Sequence, residues 1–129
     1  MAKIILDSSV LIALLNPMDM HHRSAVKATS ARHEYSISAV TMSEALIEPF
    51  KRNKQHGIKI SETIKKIVKK VIVLDQEIAE RAAFERATKN LSLPDALICA
   101  TADVSNQQLW TFDEKLVKLS SKAVRVITE

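Results

Sequence analysis

Four acidic residues, Asp7, Glu44, Asp95 and Asp113, each stand just after a short apolar run or in the opening of the helix-like segment beside it. Carboxylates in such places can meet although they are far apart in the chain. In a parallel α/β sheet the strands' carboxyl ends and the following helices' amino ends share one rim, where ligand sites form. Gathering four anions there is costly. At roughly 4 Å and an effective dielectric of about 20, each like-charge pair costs about 4 kcal/mol, against a domain stability of about 5–15 kcal/mol. Convergence therefore calls for a positive charge among them. A hard divalent cation with oxygen ligands, Mg²⁺ above all, suits an all-carboxylate site.

Each acid also has a plainer reading. Asp7 and Asp113 can serve as helix N-caps, accepting orphan backbone N–H groups. Glu44 has the spacing to complete a capping box with Thr41. Asp95 can do much the same from Ser92, with Pro94 between them, and gains from the helix dipole. Two features favour a site. Thr111 offers a hydroxyl two residues before Asp113, and Asp95 opens a segment, DALICATA, that is apolar or small on every face, as a buried helix would be.

The elements that must position these acids follow from apolar patterning. KIIL (3–6) is rich in β-branched residues and stops at Asp7, and SSVLIALL then reads as a helix ending before Pro17. A more polar helix is expected over His21 to Arg32, a strand over Tyr35 to Ser38, and a helix from about Ala39 to Lys51. Asn53 to Lys59, around Gly57, reads as a linker, after which Ser61 is placed to cap a basic helix carrying Ile64, Ile67 and Val68. VIVL (71–74) is a further strand, and Asp75 caps a helix from about Gln76 to Asn90. Pro94 suits the first turn of the next helix. A strand over Leu109 to Phe112, a helix over Glu114 to Leu119 and a strand over Val124 to Ile127 complete the chain. Short strands alternating with helices argue for an α/β fold, with a central parallel sheet of about five strands covered on both faces.

Bulk properties narrow the classes. A chain of 129 residues suits one domain over 1–129, and 47% hydrophobic with 26% charged residues is a globular balance. A lone cysteine, Cys99, rules out an intramolecular disulfide and a cysteine-based zinc cluster, and reads as a small buried hydrophobe. No apolar run is long enough to span a bilayer and no cleavable signal opens the chain, so the cytoplasm is expected. Gly57 is the sole glycine, which excludes a Walker loop and a Gly-rich dinucleotide fingerprint. The four histidines form no metal-ligand constellation by spacing; His21 and His22 read as the surface start of a helix.

The net charge of +4 points to an acidic partner, and its distribution is uneven. Lys51, Arg52, Lys54, Lys59, Lys65, Lys66, Lys69 and Lys70 crowd the middle of the chain, with His56 among them. Each can be a solvated helix residue. Beside a carboxylate pocket, the set can also be a phosphate-backbone footprint, led by Lys51, Arg52 and Lys54. With aromatics at only 4%, base stacking is not the main source of affinity. Trp110 and Phe112 read as core or interface.

Four stretches, ILDSSVLIALL, ISAVTMSEAL, LSLPDALICATA and LWTFDEKL, occur in an order and spacing that resembles PIN-domain ribonucleases, and among them the small VapC-type toxins of toxin–antitoxin pairs. The resemblance covers nearly the whole chain. It implies a homodimer with a nuclease site dependent on Mg²⁺ or Mn²⁺, RNA as substrate, an antitoxin partner, and 5′-phosphate and 3′-hydroxyl products. Asp7, Glu44, Asp95 and Asp113 match the family's acidic, metal-binding set, and Ser9 and Thr111 match small polar positions that orient those acids. Two departures concern packing: Leu116 stands where an aromatic is common, and VSNQQLW after Asp103 lacks the glycine often found before the fourth strand. Two rivals remain at this level. One is a PIN-type RNA-processing nuclease without an antitoxin. The other is a non-catalytic α/β module whose acids are caps and whose basic segment binds nucleic acid or protein.

Overall fold

The computed structural model describes residues 1–126. Twelve elements alternate along the chain: β1 (Lys3–Leu6), α1 (Ser8–Leu15), α2 (His22–Thr29), β2 (Glu34–Ser38), α3 (Ala39–Arg52), α4 (Lys54–Ile67), β3 (Lys70–Ile72), α5 (Gln76–Thr88), α6 (Leu93–Ser105), β4 (Gln108–Thr111), α7 (Glu114–Leu119) and β5 (Ala123–Arg125). The strands form one sheet in the order β3-β2-β1-β4-β5, and every pairing is parallel. From β1 the chain builds outward through β2 and β3, then returns to place β4 against the other edge of β1. The strand order thus reverses beside β1, and a crevice is expected at the carboxyl ends of β1 and β4.

The alternation of side chains in β1 explains why both faces are covered. Ile4 and Leu6 enter a cluster with Val10, Leu11, Ile37 and Ile64. Ile5 enters the opposite cluster with Ile78, Ile98, Leu109 and Leu116. Successive strand residues point to opposite faces, so one apolar run needs helices on both sides. Helices α1 to α4 supply buried residues to the first cluster, and α5 to α7 to the second. Each fully buried aliphatic side chain contributes roughly 1.5–3 kcal/mol.

Three expectations are corrected. Asn53 to Lys59 is no linker: α3 runs through Pro49 to Arg52, and α4 begins at Lys54 after one extended residue. That residue, Asn53, caps α4 by accepting from His56 N at 2.7 Å, so Ser61 lies inside the helix and caps nothing. Gly57 is there for closeness, because a Cβ on it would stand 2.1 Å from Cδ1 of Phe50. The third strand spans Lys70–Ile72, not Val71 to Leu74. Its partner β2 ends at Ser38, paired with Ile72, where α3 begins, so Val73 and Leu74 have no ladder to join and are exposed. The last strand is Ala123–Arg125, and the expected residue Ile127 lies outside the described residues. The absent glycine before β4 has a substitute, Asn106, which ends α6 in the left-handed conformation at φ 52°. After glycine, asparagine is the residue that adopts it most readily.

Candidate active site

Asp7 follows β1 directly and is buried, with 4% of its surface exposed. Its Oδ1 accepts from Val10 N at 3.0 Å and from the Ser9 hydroxyl at 2.6 Å, so it does cap α1. Capping does not account for the rest of its surroundings. Burial pushes its carboxyl above the usual range, hydrogen bonds from Ser9, Thr111 and Val10 pull the other way, and the charge of Asp95 adds to the rise. Asp95, at the head of α6, is thus close enough to add to the cost of ionising a carboxylate that burial already disfavours.

The other acids approach the same rim by different routes. Asp95 is half-buried in the first turn of α6, where its backbone N–H donates to Ser92 Oγ at 3.3 Å. Asp113 is exposed; its Oδ1 caps α7 through Lys115 N at 2.9 Å, and its own N–H donates to Thr111 Oγ1 at 2.9 Å. Thr111 is fully buried and joins Asp7 to Asp113. Ser9 makes a second link, its oxygen accepting from Phe112 N at 3.2 Å. Adjacent strands explain both links: Leu6 of β1 pairs with Trp110 of β4, and Asp7 N donates to Trp110 O at 3.0 Å.

Glu44 is half-buried on α3 and takes no part in a capping box, because Ser38 caps that helix through Val40 N. It accepts instead from the hydroxyl of Ser8 at the start of α1. Ser8 also lies 3.3 Å from the hydroxyl of Thr41, which is fully buried. Ser8 was not among the residues singled out in the sequence, and Thr41 was named there only as a capping partner of Glu44. The available signals were the hydroxyl doublet after Asp7 and the three-residue spacing that puts Thr41 and Glu44 on one helix face.

Among the described residues, none of the four acids is ion-paired to a lysine or arginine. Nor, among those residues, are any three His, Cys, Asp or Glu side chains grouped so as to hold a metal ion by themselves. Asp7 is coupled to Asp95 through charge and to Asp113 through Thr111, while Glu44 accepts from Ser8, the residue that follows Asp7. Two carboxylates with further oxygen ligands from water and a substrate phosphate are a common Mg²⁺ environment. Asp7 and Asp95 fit that ion as donors, and among the described residues only hydrogen bonds, with no paired lysine or arginine, offset the charge on Asp7.

Of the basic residues singled out in the sequence, Arg52 shares a cleft with Glu44. Lys51 and Arg52 end α3, Lys54 opens α4, and all three are exposed. Lys51 reaches Glu48 at 3.3 Å, an exposed pair of little energetic weight. A cleft of about 410 Å³ between α1, α3 and α4 is lined by Glu44, Glu48, Arg52 and His56 with apolar Ile12 and Leu15. A second cavity, of about 440 Å³ beside Trp110 and Arg125, is lined by none of the four acids. Phe112 stacks on His21 at 4.3 Å between ring centroids, and Trp110 packs against Tyr35 and His33. Cys99 is buried, its thiol pushed up to about 12 chiefly by burial.

Comparison with known proteins agrees with this architecture. A family model of the PIN domain matches residues 4–122. A toxin–antitoxin complex from Klebsiella pneumoniae contains a chain of the same fold, with a TM-score of 0.80 at 26% identity over 98% of this chain and 99% of that one. FitAcB from Neisseria gonorrhoeae matches with a TM-score of 0.77 at 20% identity, covering 95% and 96% of the two chains. Mycobacterium tuberculosis VapC20, a sarcin-ricin loop cleaving toxin, matches at 0.74 and 19% identity over 89% and 93%. No curated protein matches by sequence.

Proposed function

The chain belongs to the PIN-domain family, and from that premise we propose that it is a Mg²⁺-dependent endoribonuclease acting as the toxin of a type II toxin–antitoxin pair. One observation carries the reading: Asp7 is a buried carboxylate whose ionisation the charge of Asp95 further opposes, and among the described residues no lysine or arginine is ion-paired to either. A folded chain tolerates such a pair at neutral pH when a cation joins it. Toxin–antitoxin membership is supported by the Klebsiella pneumoniae neighbour, which also motivates a small antitoxin as partner.

In this reading Asp7 and Asp95 hold the ion, with Glu44 and Asp113 completing its surroundings; Mn²⁺ can take the same place. Bound there, the ion supplies positive charge that offsets the carboxylates and polarises the scissile phosphate. The chain's own residues do the rest. Ser9 and Thr111 fix the Asp7 carboxylate. Glu44 accepts a proton from the attacking water. That water's oxygen bonds to phosphorus as the bond between phosphorus and the 3′ oxygen breaks, and the 3′ oxygen takes a proton from solvent, giving 5′-phosphate and 3′-hydroxyl ends. Lys51, Arg52 and Lys54 hold the RNA backbone. We further propose a homodimer working in the cytoplasm; no helix among the described residues is long and apolar enough to cross a membrane.

The test is incubation of total RNA with the purified protein and Mg²⁺, with EDTA as control, followed by sequencing of new 5′ ends. Discrete metal-dependent cuts are expected, and growth arrest when the chain is expressed alone. Binding without cleavage under Mg²⁺ and Mn²⁺ alike would leave only the non-catalytic module.

A further inference from the structure

We infer that Ser8, backed by Thr41, is a positioning residue for Glu44, an assignment that rests on the nuclease reading above. Ser8 is the first residue of α1, the helix that Asp7 caps. A serine there has no cap to make, and if it served only the helix its hydroxyl would turn to water. Its hydroxyl instead reaches α3, donating to Glu44 Oε1 and standing 3.3 Å from Thr41 Oγ1, contacts that span 36 and 33 residues of chain.

A hydroxyl has one proton and two lone pairs. With its proton on the carboxylate, which can only accept, Ser8 is left to accept from the hydroxyl of the fully buried Thr41 across their 3.3 Å contact. The chain Thr41–Ser8–Glu44 then polarises in one direction, each bond strengthening the next. Glu44 needs such a hold more than its companions do. Asp7 and Asp113 are short side chains fixed by capping their own helices. Glu44 is longer by one methylene, caps nothing, and projects from the second turn of a helix.

Ser8 is also peptide-bonded to Asp7, so the residue that grips Glu44 rides on the same backbone unit as the buried acid. Asp7-Ser8-Ser9 thus reads as one acid followed by two hydroxyls aimed at different elements. Ser9 ties Asp7 to the chain after β4, and Ser8 ties the same corner to α3. The separation of Asp7 and Glu44 is set through one peptide unit.

The experiment compares the parent with S8A, S8T, E44Q and the S8A/E44Q double variant on an RNA that the parent cuts, across a Mg²⁺ series. Outer hydrogen-bond partners of metal-site ligands commonly cost about 10–100-fold in activity or metal affinity. S8A is expected to lower kcat in that range and raise the Mg²⁺ needed for half-maximal rate, with KM for RNA changed by less than about twofold. S8T should restore most of the rate. On the E44Q background, S8A should add nothing, since the residue through which it acts is already disabled. An S8A as active as the parent overturns the assignment, and so does an equal further loss on the E44Q background. Should S8A not fold, S8C keeps the size without the strong donor, and full activity in S8C overturns it too. A parent that cuts no RNA refutes the nuclease reading and this inference together; an active parent with an indifferent Ser8 refutes this inference alone.

Discussion

At the scale of single residues, the decisive fact about Asp7 is that it does two things at once. It caps α1 through Val10 N, and it is a buried carboxyl whose ionisation burial and the charge of Asp95 both oppose. Asparagine caps about as well as aspartate, so Asp7→Asn separates the two tasks. Asp7→Asn and Asp95→Asn are each expected to fold and to lose at least about 100-fold in RNA cleavage, more than loss of a supporting hydrogen bond would cost. Melting curves supply the companion measurement. Mg²⁺ at ten times its dissociation constant should stabilise the parent by about 1.4 kcal/mol and leave Asp7→Asn unmoved. A parent melting curve indifferent to the ion would remove the reason for gathering the acids. The acids themselves were legible in the sequence because their types and positions after apolar runs are local facts. Ser8 was not legible: its partner lies 36 residues away, and only folding reveals which hydroxyl a carboxylate meets.

At the scale of elements, two devices shape the helices around the site. Gly57 lets Phe50 lie flat against α4, and Phe50 is itself partly exposed. Alanine there gains up to about 1 kcal/mol in helix propensity but must displace the ring, and overpacking costs about 1–3 kcal/mol. Gly57→Ala should therefore lower the melting temperature, and the same change in a Phe50→Ala background should raise it. The second device is Glu85, with only 2% of its surface exposed, which binds Arg81 at 2.9 Å and Lys89 at 2.6 Å. Lys89 goes on to donate to Leu119 O at 2.8 Å, joining α5 to the end of α7. Burial opposes ionisation of Glu85, but Lys89 and Arg81 together outweigh it and hold its carboxyl below the ordinary value of 4.5. A lowered folded value means the stabilisation is fully present above 4.5 and lost as pH falls through the folded value. Glu85→Gln should cost about 1.5–3 kcal/mol near neutrality, with the gap to the parent closing in acid when unfolding is followed against pH. Nothing in the spacing of QEIAERAAFERATK distinguishes this buried glutamate from the exposed ones around it.

At the scale of the whole molecule, two of the acids and the basic segment lie on different elements. Asp7 and Asp113 follow the adjacent strands β1 and β4, whereas Lys51, Arg52 and Lys54 stand at the junction of α3 and α4, where Arg52 shares a cleft with Glu44. Under the proposed function these three hold phosphates, and each such contact steepens the dependence of affinity on salt by about 0.7 for a single strand. Replacing all three by alanine should weaken RNA binding and flatten the plot of log affinity against log salt by about 2, with little change in melting temperature. An unaltered slope would move the RNA path elsewhere, the remaining exposed lysines of α4 being the next place to look.

The sequence by itself determined the class of the fold and the identity of the four acids. Runs such as KIIL and the all-round apolar DALICATA state locally how much of each element is buried, and burial on both faces leaves a parallel sheet between helices as the packing solution. It also marked Asp75, Ser92 and Pro94 correctly at helix starts, since capping depends on neighbours within a few residues. Tertiary structure alone decided the rest. It turned a lone glycine from an apparent linker residue into a packing site, made Asn53 the cap, and cut β3 short where β2 gave way to a helix. It also joined the Asp7 corner to the chain leading to Asp113, through the return that sets β4 beside β1. Local pattern fixes what each segment must bury. Which distant segment does the burying depends on contacts that no stretch of sequence carries alone.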